Sequence, residues 1–137
     1  MTQVSITRRY RFCAAHRLHT DYLSPEANWA AFGKCNNPNG HGHNYVVLVT
    51  IKSAADQETL RLEQLDRVVE DTIVSRFDHQ DLNQDPAFAE TTTTGENLVK
   101  LIWDLLVDKV PANSLEKVGV IETRDNYFEY AAPAAKR

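Results

Sequence analysis

The chain has 137 residues, the size of one domain and too short for two ordinary ones. Apolar residues make up 42% and charged residues 25%, which argues against disorder, and no apolar run approaches the roughly 20 residues of a membrane span. A net charge of −4 argues against a general nucleic-acid binder, which would carry a basic stripe.

Val4 to Ala15 reads as a strand, β-branched and aromatic at first and ending in small residues. Alternation puts Phe12, Ala14 and His16 on one face and Arg11, Cys13 and Ala15 on the other. Leu18 to Gly40 reads as a loop that ends in the turn cluster Asn36-Asn37-Pro38-Asn39-Gly40. So long a loop in a compact domain is functional or disordered. His41 opens a second strand that continues through Tyr45-Val46-Val47-Leu48-Val49-Thr50-Ile51. Both of its faces are apolar, so one is expected under helices and the other under a partner subunit.

Glu58 to Arg76 reads as an amphipathic helix, with Leu62, Leu65, Val69, Thr72 and Ile73 at helical spacing. A second helix is expected from Gly95 to Val110, carrying Leu98, Leu101, Ile102, Leu105 and Leu106 on one stripe. Thr93 and Glu96 fit a capping box at its start, and Pro111 ends it. Two strands follow, Leu115 to Thr123 and Tyr127 to Ala132, joined at Arg124-Asp125-Asn126 as a hairpin. The order β-β-α-α-β-β implies an α+β domain over residues 1–137, an antiparallel sheet with a helix pair on one face.

Three of the five histidines stand in an unusual arrangement. His41-Gly42-His43 places two imidazoles at i and i+2, on one face of an extended chain. Antiparallel pairing of the first two strands sets His16 beside them. Three neutral imidazoles with an open fourth position suit a catalytic Zn²⁺. The competing readings are a polar strand start that binds nothing, or a closed structural site with Cys35 as fourth ligand. His19 has no partner in spacing and reads as a solvated loop residue.

The start of the chain, Met1 to Arg11, shows no apolar segment of the secretory type, and the two cysteines read as cytosolic thiols. Cys35 follows Lys34 and precedes the turn cluster, a setting that favours an accessible thiol of lowered pKa. Cys13, opposite His16 in facing, reads as buried filler. Asp78-His79 closes the first helix, where a carboxylate can set the imidazole's tautomer for proton transfer. Glu122 shares a strand face with Val118 and Val120, so it is either a buried acid holding a donor or a strand end reaching solvent.

The segments Phe12-Cys13-Ala14-Ala15-His16-Arg17-Leu18 and Phe32-Gly33-Lys34-Cys35-Asn36-Asn37-Pro38-Asn39-Gly40-His41-Gly42-His43-Asn44-Tyr45 strongly resemble the 6-pyruvoyltetrahydropterin synthase family. Phe77-Asp78-His79-Gln80-Asp81-Leu82-Asn83, Thr94-Gly95-Glu96-Asn97 and Ile121-Glu122-Thr123 extend the resemblance in order and spacing over nearly the whole chain. It implies a tunnelling fold, a four-stranded antiparallel sheet with two helices. Subunits of that fold join edge to edge, commonly as a homohexamer of two stacked trimers with active sites at the interfaces. His16, His41 and His43 match the zinc ligands, and Cys35 matches the catalytic base with Asp78 and His79 as proton-transfer partners. Glu122 matches the acid that anchors the pterin, with Thr94 and Glu96 beside it.

The implied reaction is conversion of 7,8-dihydroneopterin triphosphate to 6-pyruvoyltetrahydropterin, in the cytoplasm, with no membrane or nucleic-acid partner. Lys34, Arg17 and the Arg8/Arg9/Arg11 cluster are candidates for a cationic lip around the triphosphate. Related enzymes instead form 6-carboxy-5,6,7,8-tetrahydropterin for queuosine and other deazapurines, and they usually have a shorter gap between the cysteine and the His-Gly-His motif. The gap here, Asn36 through Gly40, favours the pyruvoyl product. A pterin binder without catalysis and a zinc-stabilised structural domain are the readings from other classes.

Overall fold

A computed structural model describes residues 3–36, 40–54, 58–111, 114–123 and 125–132. The turn residues Asn37, Pro38 and Asn39, Arg124 of the hairpin and the tail from Pro133 lie outside the described residues, as does the side chain of Cys35. In chain order the elements are β1 (Gln3–His16), α1 (Pro25–Phe32), β2 (His41–Ala54), α2 (Glu58–Val69), β3 (Gln80–Asp81), α3 (Gly95–Leu106), β4 (Leu115–Thr123) and β5 (Asn126–Tyr130).

Four strands form the expected antiparallel sheet, in the order β1-β2-β4-β5, and β3 at the β1 edge makes the sheet five-stranded. The two-residue β3 is an addition, set parallel to β1 at Ala14 and Ala15. Strand alternation sorts the side chains. Tyr10, Phe12, Ala14 and His16 of β1, Tyr45, Val47, Val49 and Ile51 of β2, and Val118 and Val120 of β4 are all buried. Against this face pack Leu65, Val69, Ile73 and Phe77 on one side and Leu98, Val99, Ile102 and Leu106 on the other. Each such large side chain contributes about 1.5–3 kcal/mol by leaving water, so this layer decides which face of the sheet is inside.

Several local details differ from expectation. Leu18 to Gly40 contains α1, because Ser24 caps Ala27 N–H at 3.1 Å and Pro25 starts the first turn. The long helix after β2 runs from α2 through a π-helical turn, Glu70–Val74, into Ser75–Phe77. Ser75 Oγ donates to the Glu70 carbonyl at 2.9 Å within that turn. α3 stops at Leu106 rather than at Val110: Val107 N–H still bonds the Trp103 carbonyl at 2.9 Å, and the chain then tightens into a turn in which Lys109 N–H donates to the Leu106 carbonyl at 2.9 Å. Thr94, not Thr93, caps α3: its Oγ1 accepts Asn97 N–H at 3.3 Å. β5 ends at Tyr130, short of Ala132.

Cys13 is exposed, contrary to its reading as filler. Among the described residues no helix covers its side of β1, and the thiol donates to Asn44 Oδ1 at 2.9 Å on β2. That same uncovered face carries Arg9 and Arg11, exposed, and Val46 and Leu48, half-buried. Among the described residues no helix is long and apolar enough to cross a membrane.

Candidate functional site

The β1–β2 register decides where the histidines meet. His16, last in β1, lies opposite His41, first in β2, and His43 lies opposite Ala14. All three side chains share the helix-covered face, which continues inward through the Phe12–Tyr45 stack at 5.0 Å. The imidazole centroids are 4.5, 4.6 and 4.8 Å apart, and one ring nitrogen of each lies within 4.8 Å of the others.

His16 Nδ1–H donates to the Thr93 carbonyl at 2.7 Å, so the bare Nε2 is the atom turned toward His41 Nε2, 2.9 Å away. His43 Nε2 is buried and has no hydrogen-bond partner. Burial holds all three rings below the ordinary histidine pKa, His16 down to about 4. At neutral pH the site therefore presents uncharged nitrogens that converge. An orphaned buried acceptor costs about 1–3 kcal/mol. A cation placed among the three rings would satisfy it, and an all-nitrogen set suits a borderline divalent metal. The residues fit a metal ion.

Glu122, on β4, stands beside this cluster with Oε1 3.6 Å from His43 Nε2. Burial is the main cause of its raised pKa; His41 opposes the rise and Glu96 adds to it. Glu96 itself is exposed in the first turn of α3, next to the capping Thr94.

The backbone that carries Cys35 forms a 3-10 turn, Gly33–Asn36, tied to the residues after His16. The buried Asn36 donates to the Leu18 carbonyl at 2.7 Å and to His19 Nδ1 at 2.9 Å, and Arg17 Nε donates to the Asn36 carbonyl at 3.0 Å. His19 is thus no free loop residue; its Nε2 also lies 3.3 Å from Asp21. Arg17 is engaged in this tie, and Arg8 pairs with Asp66 at 2.7 Å, while Arg9, Arg11 and Lys34 are exposed.

Asp78 and His79 sit on the other side of β1. The Cys13 peptide clamps them: its N–H donates to Asp78 Oδ1 at 2.9 Å, and its carbonyl accepts His79 N–H at 2.6 Å. Asp78 Oδ2 lies 3.0 Å from His79 Nδ1. The Cys13 N–H bond is the main cause of Asp78's lowered pKa. His79 has φ 60°, a left-handed conformation uncommon for any residue but glycine. Its ring is 80% exposed and opens on a hollow of about 530 Å³ lined also by Cys13, Gly42, His43, Asn44 and Asp81. The fold therefore brings His16, His41, His43 and Glu122 together and leaves Asp78–His79 across one strand. Thr93 and Asn36 were absent from the sequence reading of the site. The only signal for them was the density of threonine and asparagine in two loops.

The model of the family described as 6-pyruvoyl tetrahydropterin synthase matches residues 5–133. The chain is 44% identical over 132 residues to 6-pyruvoyl tetrahydrobiopterin synthase of Homo sapiens, covering 93% of this chain and 91% of that protein. It is 42% identical over 132 residues to the protein of the same name from Pongo abelii, with the same coverage. The solved structure of Caenorhabditis elegans 6-pyruvoyl tetrahydropterin synthase superposes with a TM-score of 0.90 at 36% identity, covering 97% of this chain and 98% of that one. Histidine register, helix-backed sheet and a family match over residues 5–133 all converge, and the chain belongs to the 6-pyruvoyl tetrahydropterin synthase family.

Proposed function

We propose that this chain is a single-domain, zinc-dependent lyase that converts 7,8-dihydroneopterin triphosphate to 6-pyruvoyltetrahydropterin and releases triphosphate. The observation that carries the reading is the buried, unpartnered Nε2 of His43 beside the facing Nε2 atoms of His16 and His41, in a member of this family. His16, His41 and His43 would hold the zinc, which when bound supplies Lewis-acid polarisation of the substrate's side-chain oxygens.

The remaining roles fall to the chain's own groups. Cys35, on the turn pinned by Asn36, takes a proton from a side-chain carbon as its thiolate. His79, oriented through Nδ1 by Asp78, moves a proton to the ring or to oxygen. Triphosphate departs by elimination, and tautomerisation oxidises the side chain at the expense of the ring, so no external oxidant enters. Glu122 receives the pterin's N–H edge, since a carboxylate in a buried setting gains most from a charge-assisted donor. Thr94 and Glu96 flank that end of the site.

The exposed His79 beside the half-buried Asp78, one strand away from the histidines, supports a homo-oligomer in which one subunit's pair completes a neighbour's site. The half-buried Val46 and Leu48 on the uncovered sheet face support the same arrangement, a hexamer of two stacked trimers. A cytoplasmic location keeps the catalytic thiol reduced.

The test is product identification with zinc-loaded protein and 7,8-dihydroneopterin triphosphate. Triphosphate release with a pyruvoyl product is the expected result. Acetaldehyde together with 6-carboxy-5,6,7,8-tetrahydropterin would assign the other reaction, and tight binding without turnover would assign a binder.

A further inference from the structure

Four threonines, Thr91 to Thr94, precede α3, and only Thr94 serves as its cap. Thr93 is fully buried and turned the other way. Its carbonyl accepts His16 Nδ1–H at 2.7 Å. Its hydroxyl lies 3.3 Å from the Arg17 carbonyl and 3.4 Å from Asn83 Oδ1. Asn83 in turn brackets Arg17, accepting its N–H at 2.7 Å and donating Nδ2 to its carbonyl at 2.9 Å. The connections close a ring: from the His16 imidazole to the Thr93 carbonyl, from the Thr93 hydroxyl to Arg17, and from Arg17 along the chain back to His16.

A valine would fill the same volume at Thr93 without a hydroxyl to satisfy. A buried hydroxyl is tolerated only where it is hydrogen-bonded, so this one ties the loop before α3 to the end of β1. We propose that Thr93 is a positioning residue of the metal centre: its buried hydroxyl fixes the carbonyl that sets the tautomer and angle of His16. The inference rests on the reading that His16, His41 and His43 hold a metal. Once that peptide is free to turn, the Nδ1–H loses its acceptor and Nε2 loses its aim. Outer partners of ligating histidines change metal affinity by roughly 10–100-fold when removed.

The experiment compares wild type, Thr93→Val and Thr93→Ser in the full chain. Zinc affinity is measured by competition with a chromophoric chelator, the ligand-field spectrum is recorded with Co²⁺, and the Tm is taken on the metal-free proteins. Thr93→Val is expected to weaken zinc by roughly 10-fold and to shift the Co²⁺ bands, while Thr93→Ser keeps both near wild type. Equal zinc affinity and identical Co²⁺ spectra for wild type and Thr93→Val would overturn the proposal. So would an equal loss in Thr93→Ser, which would assign the effect to packing. Should Thr93→Val fail to fold, Asn83→Ala at an exposed position carries the test: several-fold weaker zinc is expected, and unchanged affinity overturns the proposal. Wild type that takes up neither metal would overturn the metal reading itself, before any variant is compared.

Discussion

His43 Nε2 and Glu122 Oε1 face each other at 3.6 Å, beyond hydrogen-bond reach, and each side chain is about 15% exposed. Burial lowers the imidazole pKa and raises that of the carboxyl, so it works against the charged form of each and against a firm ion pair between them. Each needs its own partner, and the two needs are separable by mutation. His43→Ala is expected to abolish tight metal binding. Glu122→Gln is expected to keep one metal per chain and weaken substrate binding by roughly 10–100-fold, the range of a lost charge-assisted hydrogen bond. Metal content by elemental analysis and substrate Kd by calorimetry check both. Loss of metal in Glu122→Gln would make the carboxylate a ligand instead.

Cys35 separates catalysis from binding. Removing a positioned proton acceptor costs about 10²–10⁴ in rate, so Cys35→Ala is expected to lose that much kcat while substrate Kd and metal content hold. Single-turnover kinetics with direct binding titration make the measurement. A kcat within a factor of a few of wild type places the base elsewhere.

The convergence of the histidines was legible because it follows from two local rules, side-chain alternation and antiparallel return. An i, i+2 pair at a strand start and a histidine at the preceding strand's end can hardly avoid one another. α1 was missed because its apolar residues surround it and only Asn28 is buried, which leaves no periodicity to read. Its Ser24-Pro25 start was the available signal. The choice between Thr93 and Thr94 as cap was not readable from a run of threonines; burial against His16 and Arg17 decides it. Cys13 was misjudged because alternation says which residues share a face, not which face a helix covers. The placement of Asp78–His79 depends on the Cys13 peptide, a tertiary contact with no sequence signature.

Arg76 and Asp85 predict an acid limit to stability. Nε and Nη2 of Arg76 each donate to one carboxylate oxygen at 2.8 Å, and Asp85 also caps Ala87 N–H at 3.0 Å. The Arg76 hydrogen bond is the main reason the Asp85 pKa lies below its ordinary 3.8. A folded-state pKa below the unfolded one means stability that is complete above about pH 4 and lost as pH falls through 3.8 and onward. Asp85→Asn is expected to be less stable than wild type by about 1 kcal/mol at pH 7, a modest figure because Arg76 is partly solvated. That gap should narrow steadily as pH falls below 3.8. Urea unfolding across a pH series measures it, and a gap that does not change with pH would rule the pair out as its source.

Gly95 and Gly119 look alike in sequence but not in surroundings. A Cβ on Gly95, buried in the first turn of α3, would run into the Phe128 ring of β5, which is itself packed on the core. A Cβ on Gly119 would meet the hydroxyl end of Tyr127, which is 50% exposed and can swing toward solvent. Gly95→Ala is therefore expected to destabilise by about 1–3 kcal/mol from overpacking, after any helix-propensity gain of up to about 1 kcal/mol. Gly119→Ala should cost less, and urea midpoints with unchanged m-values rank the two. The larger effect should also reach the site, because Gly95 lies between Thr94 and Glu96 and two residues from the Thr93 carbonyl that holds His16. Gly95→Ala with native stability and native metal affinity would show that the start of α3 yields without cost, which the Phe128 contact argues against.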